Sequence, residues 1–250
     1  HPALLDHLAS RFIREGWSVK GLIKTIVLSQ TYQMSSSSNP QASQADATNQ
    51  LLHHKAVKRL EGEVIRDQLL TLSGRLDRKM YGPSIPIFLT EFMQGRGRPG
   101  NGPLDGNGRR SIYLSVRRNF LHPMLLTFDM PIPFNSMGRR NVSNVPAQSL
   151  ILMNDPFVVS QTELWAKRLL ADPQWKDLAP AERISARLKE VYLNAFCRPP
   201  TASEEQQLTQ FLQAQGEALK IPAAARADDL RIWKDLVHIV VNTKEFIFIE

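Results

Sequence analysis

The chain has 250 residues, 42% of them apolar and 22% charged, which is the balance of an ordinary globular protein with material for a full hydrophobic core. Its one cysteine, Cys197, excludes an internal disulfide and any cysteine-based zinc or iron–sulfur site, and the C-x-x-C-H run of a c-type haem is absent. The formal charge of +7 permits a polyanionic partner without requiring one, because six of the seven charges come from a single block. Between Arg96 and Arg140 lie eight arginines, no lysine and only two acids, Asp105 and Asp129.

In chain order, Pro2 suits a first helical turn, and Leu4, Leu5, Leu8, Phe12 and Ile13 follow a helical stripe that Gly16 ends. Ser18 is placed to cap a second helix carrying Leu22, Ile23, Ile26 and Val27. Residues 35–48 are polar and low in complexity and read as a loop or partly disordered link. A third helical pattern covers roughly 51–76, with Leu60, Val64, Ile65, Leu69 and Leu72 as its buried face.

From Met80 to Gly108, four prolines and seven glycines preclude long regular elements. Residues 110–116 alternate and are β-rich, making them the best strand candidate. Pro123 opens a short helix to about Asp129, and Pro146 opens another ending near Met153. Asp155 followed by Pro156 is an N-cap and first turn for a helix to about Ala171. Pro180 opens a helix to Phe196. Thr201 and Glu204 form a capping box for a helix to about Leu219. A last helix spans Asp228 to Val241 and leads into an apolar tail. The expected fold is mainly α, with a small β element, a long irregular Arg/Gly/Pro-rich middle and a C-terminal helical bundle. The expected sub-regions are 1–78 helical, 79–145 irregular with a short strand, and 146–250 a bundle.

Gly95–Gly100 matches G-x-G-x-x-G, but Pro99, Gly100, Gly102 and Pro103 forbid the helix whose N-terminus would face a pyrophosphate, so a basic loop is expected. Asp105 opens like a calcium loop. The twelfth position is Val116 rather than glutamate and the fifth is Arg109, so a turn is expected and no metal ligand set is assigned. The histidines show no ligand spacing. His53 and His54 point about 100° apart on a helix and cannot share one ion. Glu63, Arg66 and Asp67 share one helix face, either as intrahelical ion pairs or as a carboxylate face meeting the arginine block. Missing lysines and a single aromatic in reach, Tyr113, argue against nucleic acid as a partner.

Several segments together carry a resemblance. Residues 1–36 (HPALLDHLASRFIREGWSVKGLIKTIVLSQTYQMSS), 49–77 (NQLLHHKAVKRLEGEVIRDQLLTLSGRLD), 109–119 (RRSIYLSVRRN), 128–131 (FDMP), 139–158 (RRNVSNVPAQSLILMNDPFV) and 191–205 (VYLNAFCRPPTASEE) occur in order over nearly the whole chain. They resemble domain of unknown function 1553, the C-terminal module of planctomycete cytochrome-c-type proteins. The resemblance implies an exported protein, periplasmic, secreted or on the cell surface, with the preceding domain of the same polypeptide as partner. It also implies a haem c in the N-terminal part, outside this chain. The start at His1, without a basic-then-apolar leader, fits a piece of a longer polypeptide. The family pattern has a cysteine before the arginine pair and two threonines after it, where this chain has Met137-Gly138 and Ser143-Asn144, and a glycine where it has Cys197. Cysteine chemistry is thereby disfavoured.

Three readings follow, the weakest of them nucleic-acid binding through the basic block. In the first, the chain is an accessory or scaffold module associated with polysaccharide, and its arginines form an internal framework. In the second, Arg110, Tyr113, Asp129, Arg139, Arg140, Asn141, Asn154 and Asp155 form a cleft for an anionic polysaccharide, with arginines on a sulfate or carboxylate and an aspartate as base. Guanidinium groups open to solvent favour the second reading, and guanidinium groups turned onto Asp67, Asp129 or Asp155 favour the first.

Overall fold

A computed structural model describes residues 1–249 and is mainly helical, as expected. The chain forms two compact units, His1–Lys58 together with Phe248 and Ile249, and Arg59–Ile247. In the first unit, α1 (Pro2–Arg14) and α2 (Val19–Val27) form at the expected places, and the Ser18 hydroxyl accepts the Gly21 N–H as a cap. The polar link is more ordered than its composition suggests. Asn39 caps and Pro40 starts a short α3 (Pro40–Ala45), because the Asn39 side chain accepts the Gln41 N–H and the proline ring has already set the helical φ.

Strand β1 (Lys58–Arg59) and strand β2 (Phe248–Ile249) pair as a two-stranded sheet. The helix read over 51–76 is therefore much shorter, α4 (Gly62–Leu72). Its periodic pattern is interrupted upstream by Leu52 at φ 55° and by strand pairing of Lys58 and Arg59. It stops at Ser73 and Gly74, where the chain enters the left-handed region at φ 74°. The buried face also differs from the expected one. Ile65, Leu69, Leu70 and Leu72 are inside with Arg66, while Val64 is 46% exposed.

The second unit holds α5 (Pro123–Thr127), α6 (Pro146–Asn154), α7 (Pro156–Ala171), α8 (Pro180–Phe196), α9 (Ala202–Ala218), α10 (Leu230–Val241) and α11 (Lys244–Ile247). Local signals place these ends. Asp155 accepts the Phe157 N–H, the Thr201–Glu204 capping box is made in both directions, and Asp229 caps α10. Helix α10 packs chiefly on α7, with Trp233, Leu236, Val237 and Val240 buried on the one and Phe157, Val158 and Trp165 buried on the other. Helix α7 also packs on α4, and polar contacts align the two. Ser73 donates to the Gln161 side chain at 2.7 Å, and Arg168 donates to the Leu72 carbonyl at 3.0 Å.

The strand expected over 110–116 does not form. Ser111–Tyr113 is a single 3-10 turn, and only Leu114 makes an isolated parallel bridge, to Ile85. Strand alternation needs a neighbouring ladder, and the Gly/Pro-rich segment offers one rung, while Ser111 is pulled toward α4 by polar contacts. The period-2 alternation is not kept either: of Ile112, Leu114 and Val116, which a strand would place on one face, only Leu114 is buried. A small core of Ile87, Leu89, Leu114, Phe120 and Leu125 lies under this irregular stretch.

Gly108 is where the irregular segment passes closest to the chain after α4. It sits at φ 71°, and a Cβ there would lie 2.0 Å from the Arg75 carbonyl oxygen. Gly108→Ala is therefore expected to lower stability by at least about 2 kcal/mol in urea unfolding, whereas Gly138→Ala, in open space, should change it by less than about 0.5 kcal/mol. Equal stability of the two variants would show that this close approach is not a constraint.

Candidate functional site

Helix α4 supplies most of the charge. Its first turn carries Glu61 and Glu63, and one turn on come Arg66 and Asp67. Arg66 is fully buried, and its guanidinium donates to the Arg109 carbonyl at 3.0 Å, the Ser111 hydroxyl at 3.2 Å and the Asp105 carbonyl at 2.8 Å. It also lies 3.6 Å from Asp67 and over the Phe157 ring. Burial lowers its pKa to about 10, opposed by the Asp67 and Asp105 charges, so it stays protonated near neutrality. Asp67 in turn accepts both the backbone N–H and the hydroxyl of Ser111 at 2.7 Å.

Arg140 meets Glu63 in a two-pronged pair, at 2.8 and 2.9 Å, and lies 3.2 Å from Glu61. Burial pushes the Glu63 carboxyl up, but the Arg140 guanidinium more than offsets this and holds it below its ordinary value. Arg140 is correspondingly raised, chiefly by its hydrogen bonds to Glu63, with Asp129 adding at longer range. Asp129, in the left-handed region at φ 63°, accepts Arg59 at 2.6 Å and the Ser143 N–H at 2.7 Å. Gln148 on α6 donates to the Thr127 and Ser143 carbonyls and closes the loop that carries the RRNVSN run.

The other sequence-selected residues are dispersed. Arg110 donates to the Met80 sulfur, and the Tyr113 hydroxyl accepts the Tyr81 N–H while the Arg109 guanidinium stacks 3.9 Å above its ring. Arg139 and Asn141 are exposed. Asn154 donates to the Leu150 carbonyl within its own helix. Asp155 caps α7, and its pKa is raised by burial against the pull of the Phe157 and Val158 N–H groups. Asp129 and Arg140 are brought near each other, but each is engaged by another charged residue. Of the block's eight arginines, only Arg109 is buried. The other deeply buried guanidinium groups are those of Arg59, Arg66 and Arg187, all outside it.

A cleft of about 400 Å³ opens beside α4, lined by Glu61, Glu63, Asp67, Ser111, Ser115 and His122 over aliphatic side chains that include Val64, Ile112 and Leu125. None of the eight sequence-selected residues lines it. The sequence signal that could have found it is Glu61-Gly62-Glu63 at a helix start, where two carboxylates flank a glycine. That glycine packs so tightly on α5 that a Cβ would lie 2.9 Å from the Phe128 Cβ. His122, at the start of α5, is buried, and burial together with the Arg66 charge depresses its pKa to about 4, so the ring is neutral near neutrality.

Helices joined to an irregular, arginine-knit middle therefore define the class of protein. A family model described as PSD1, protein of unknown function (DUF1553), matches residues 1–212, and the chain belongs to that family. Comparisons with curated proteins and with solved structures give no match.

Two measurements probe this charge arrangement. Arg66→Leu, which strips the donor from buried carbonyls and from Asp67, should cost about 3–5 kcal/mol in urea unfolding. Arg140→Ala, at a pair only about a quarter exposed, should cost less, about 1–2 kcal/mol. Comparable losses in both would remove the distinction drawn between them.

The second concerns pH. His122 has a folded pKa below its unfolded value of about 6.5, so its stabilising contribution is complete above that pH. It is lost as the pH falls toward about 4, where the folded protein also takes up the proton. The loss amounts to about 3 kcal/mol over this window. His122→Phe should flatten that part of the stability profile. An unchanged slope would assign the acid sensitivity to other groups.

Proposed function

We propose that this chain is a non-catalytic accessory module of a larger exported protein linked to cytochrome c, and that it holds polysaccharide without cleaving it. The observation that carries the reading is the internal use of the charged groups. Arg140 is committed to Glu63 and Glu61, Asp129 to Arg59 and Ser143, and Arg109 to the Lys79 and Tyr81 carbonyls. Guanidinium groups already satisfied by carboxylates have little left to offer a sulfate or carboxylate ligand. A catalytic aspartate would need a free lone pair toward substrate, and Asp129 has given both oxygens to internal donors. Support for the exported, haem-linked context rests on the motif runs at 109–119, 139–158 and 191–205. The haem would belong to the N-terminal part of the longer protein, and the preceding domain would be the direct partner.

For polysaccharide, the supporting feature is a set of exposed aromatic rings along the irregular segment, Tyr81, Phe92 and Phe134. Such rings present flat apolar faces to the CH face of a sugar. Arg139 and Asn141, exposed and with no side-chain hydrogen-bond partner among the described residues, favour the second reading, an anionic-glycan site.

The two readings separate in a binding experiment. In affinity electrophoresis the chain should be retarded by neutral polysaccharides and release no reducing sugar. The double variant Tyr81→Ala/Phe92→Ala should bind several-fold more weakly, and Arg139→Ala should bind unchanged. Salt-sensitive retention on sulfated polymers that disappears in Arg139→Ala would replace this reading with the anionic one. Release of reducing ends would overturn the non-catalytic assignment.

A further inference from the structure

The cleft beside α4 has a chemistry that an accessory role leaves unused. Three carboxylates line it, those of Glu61, Glu63 and Asp67, and its lining contains no lysine or arginine. The flanking guanidinium groups number two, because Arg140 serves both Glu61 and Glu63, and Arg66 serves Asp67. Three carboxylates against two guanidinium groups leave one negative charge at the cleft, in a chain whose overall charge is +7. The Glu61 side chain is 54% exposed, and its one ion-pair partner, Arg140 at 3.2 Å, is already doubly bonded to Glu63, so Glu61 keeps exposed surface for a ligand.

Much of the rest of the lining is aliphatic. Val64, Ile112 and Val116, all more than 40% exposed, lie together on this one cleft and offer it an apolar wall. A volume of about 400 Å³ suits a small molecule. The wall also contains an unmatched polar group. His122 is only 8% exposed, and its Nδ1 has no hydrogen-bond partner, although leaving a buried polar atom unpaired is costly.

Carboxylates and aliphatic carbon lining one cleft match a ligand with a cationic head and an apolar stem, the same division by which long basic side chains lay their stems on apolar surface. An anionic head would be repelled by the same carboxylates. We infer that this cleft binds a primary alkylammonium ion, with its chain against Val64, Ile112 and Val116 and its ammonium group at Glu61. This inference concerns a different site from the aromatic rings assigned to polysaccharide and stands or falls separately from that assignment.

Titration calorimetry of the whole chain with hexylammonium, hexanoate and hexanol tests it. Hexylammonium should bind saturably, at least about tenfold more tightly than either of the others. Glu61→Gln should weaken it about three- to tenfold. Val64→Trp should fill the cleft and abolish binding. Both positions are partly exposed, so thermal unfolding of each variant is expected to match the parent and confirm that it folds. Three results would overturn the inference: no saturable binding of hexylammonium, equal binding of hexanoate or hexanol, or undiminished binding by folded Val64→Trp.

Discussion

A guanidinium sealed from solvent at Arg66 has to be met by acceptors, and helix α4 cannot provide them, because its own carbonyls are spent along the helix. The irregular segment answers with the carbonyls of Asp105 and Arg109 and the Ser111 hydroxyl. These contacts set the path of residues 105–111 over α4. They explain why glycines at 106 and 108 turn in the left-handed region there and why a strand cannot continue through Ser111. Asp67, one residue on, gathers the Ser111 N–H and hydroxyl and balances the buried charge.

The same device recurs across the second unit. Arg59 reaches Asp129, Arg109 reaches the carbonyls of the Lys79–Tyr81 turn, and Arg187 reaches the Ala227 carbonyl and Asp228. In each case a planar fork binds two acceptors or stacks on a ring, which an ammonium group could not do. Segments poor in regular hydrogen bonds are thereby tied to helices. The apolar core under the loop is small, so these polar ties carry a large share of its order. The cleft beside α4 is the exception, since its carboxylates outnumber the guanidinium groups that flank them.

Much of the helical half was legible in the sequence. Helices α7 to α9 begin where Asp155, Pro180 and Thr201 announce them, because a cap or a proline acts within one turn of its own position, and α10 begins at Leu230, capped by Asp229 rather than starting at the expected Asp228. The pairing of α4 carboxylates with the arginine block was also foreshadowed by Glu63 and Asp67 at helical spacing, and Glu63 does meet Arg140. Less could be read where local and distant forces compete. The periodicity over 51–76 suits a helix, yet strand pairing at Lys58 and Arg59 takes its first part. The alternation over 110–116 suits a strand, yet contacts to α4 fold it into a turn.

What the sequence alone determined is the helical class, most helix ends and the arginine-rich character of the middle, all consequences of interactions spanning a few residues. Which arginines lie inside, and where a cleft opens, was decided only by the tertiary structure. Arg66 finds its acceptors 39 to 45 residues away, Arg59 its carboxylate 70 away and Arg140 its partner 77 away. Charge pairing at such separations leaves no period in the chain. A guanidinium is buried when folding happens to bring enough acceptors around it, and composition cannot say which one that will be.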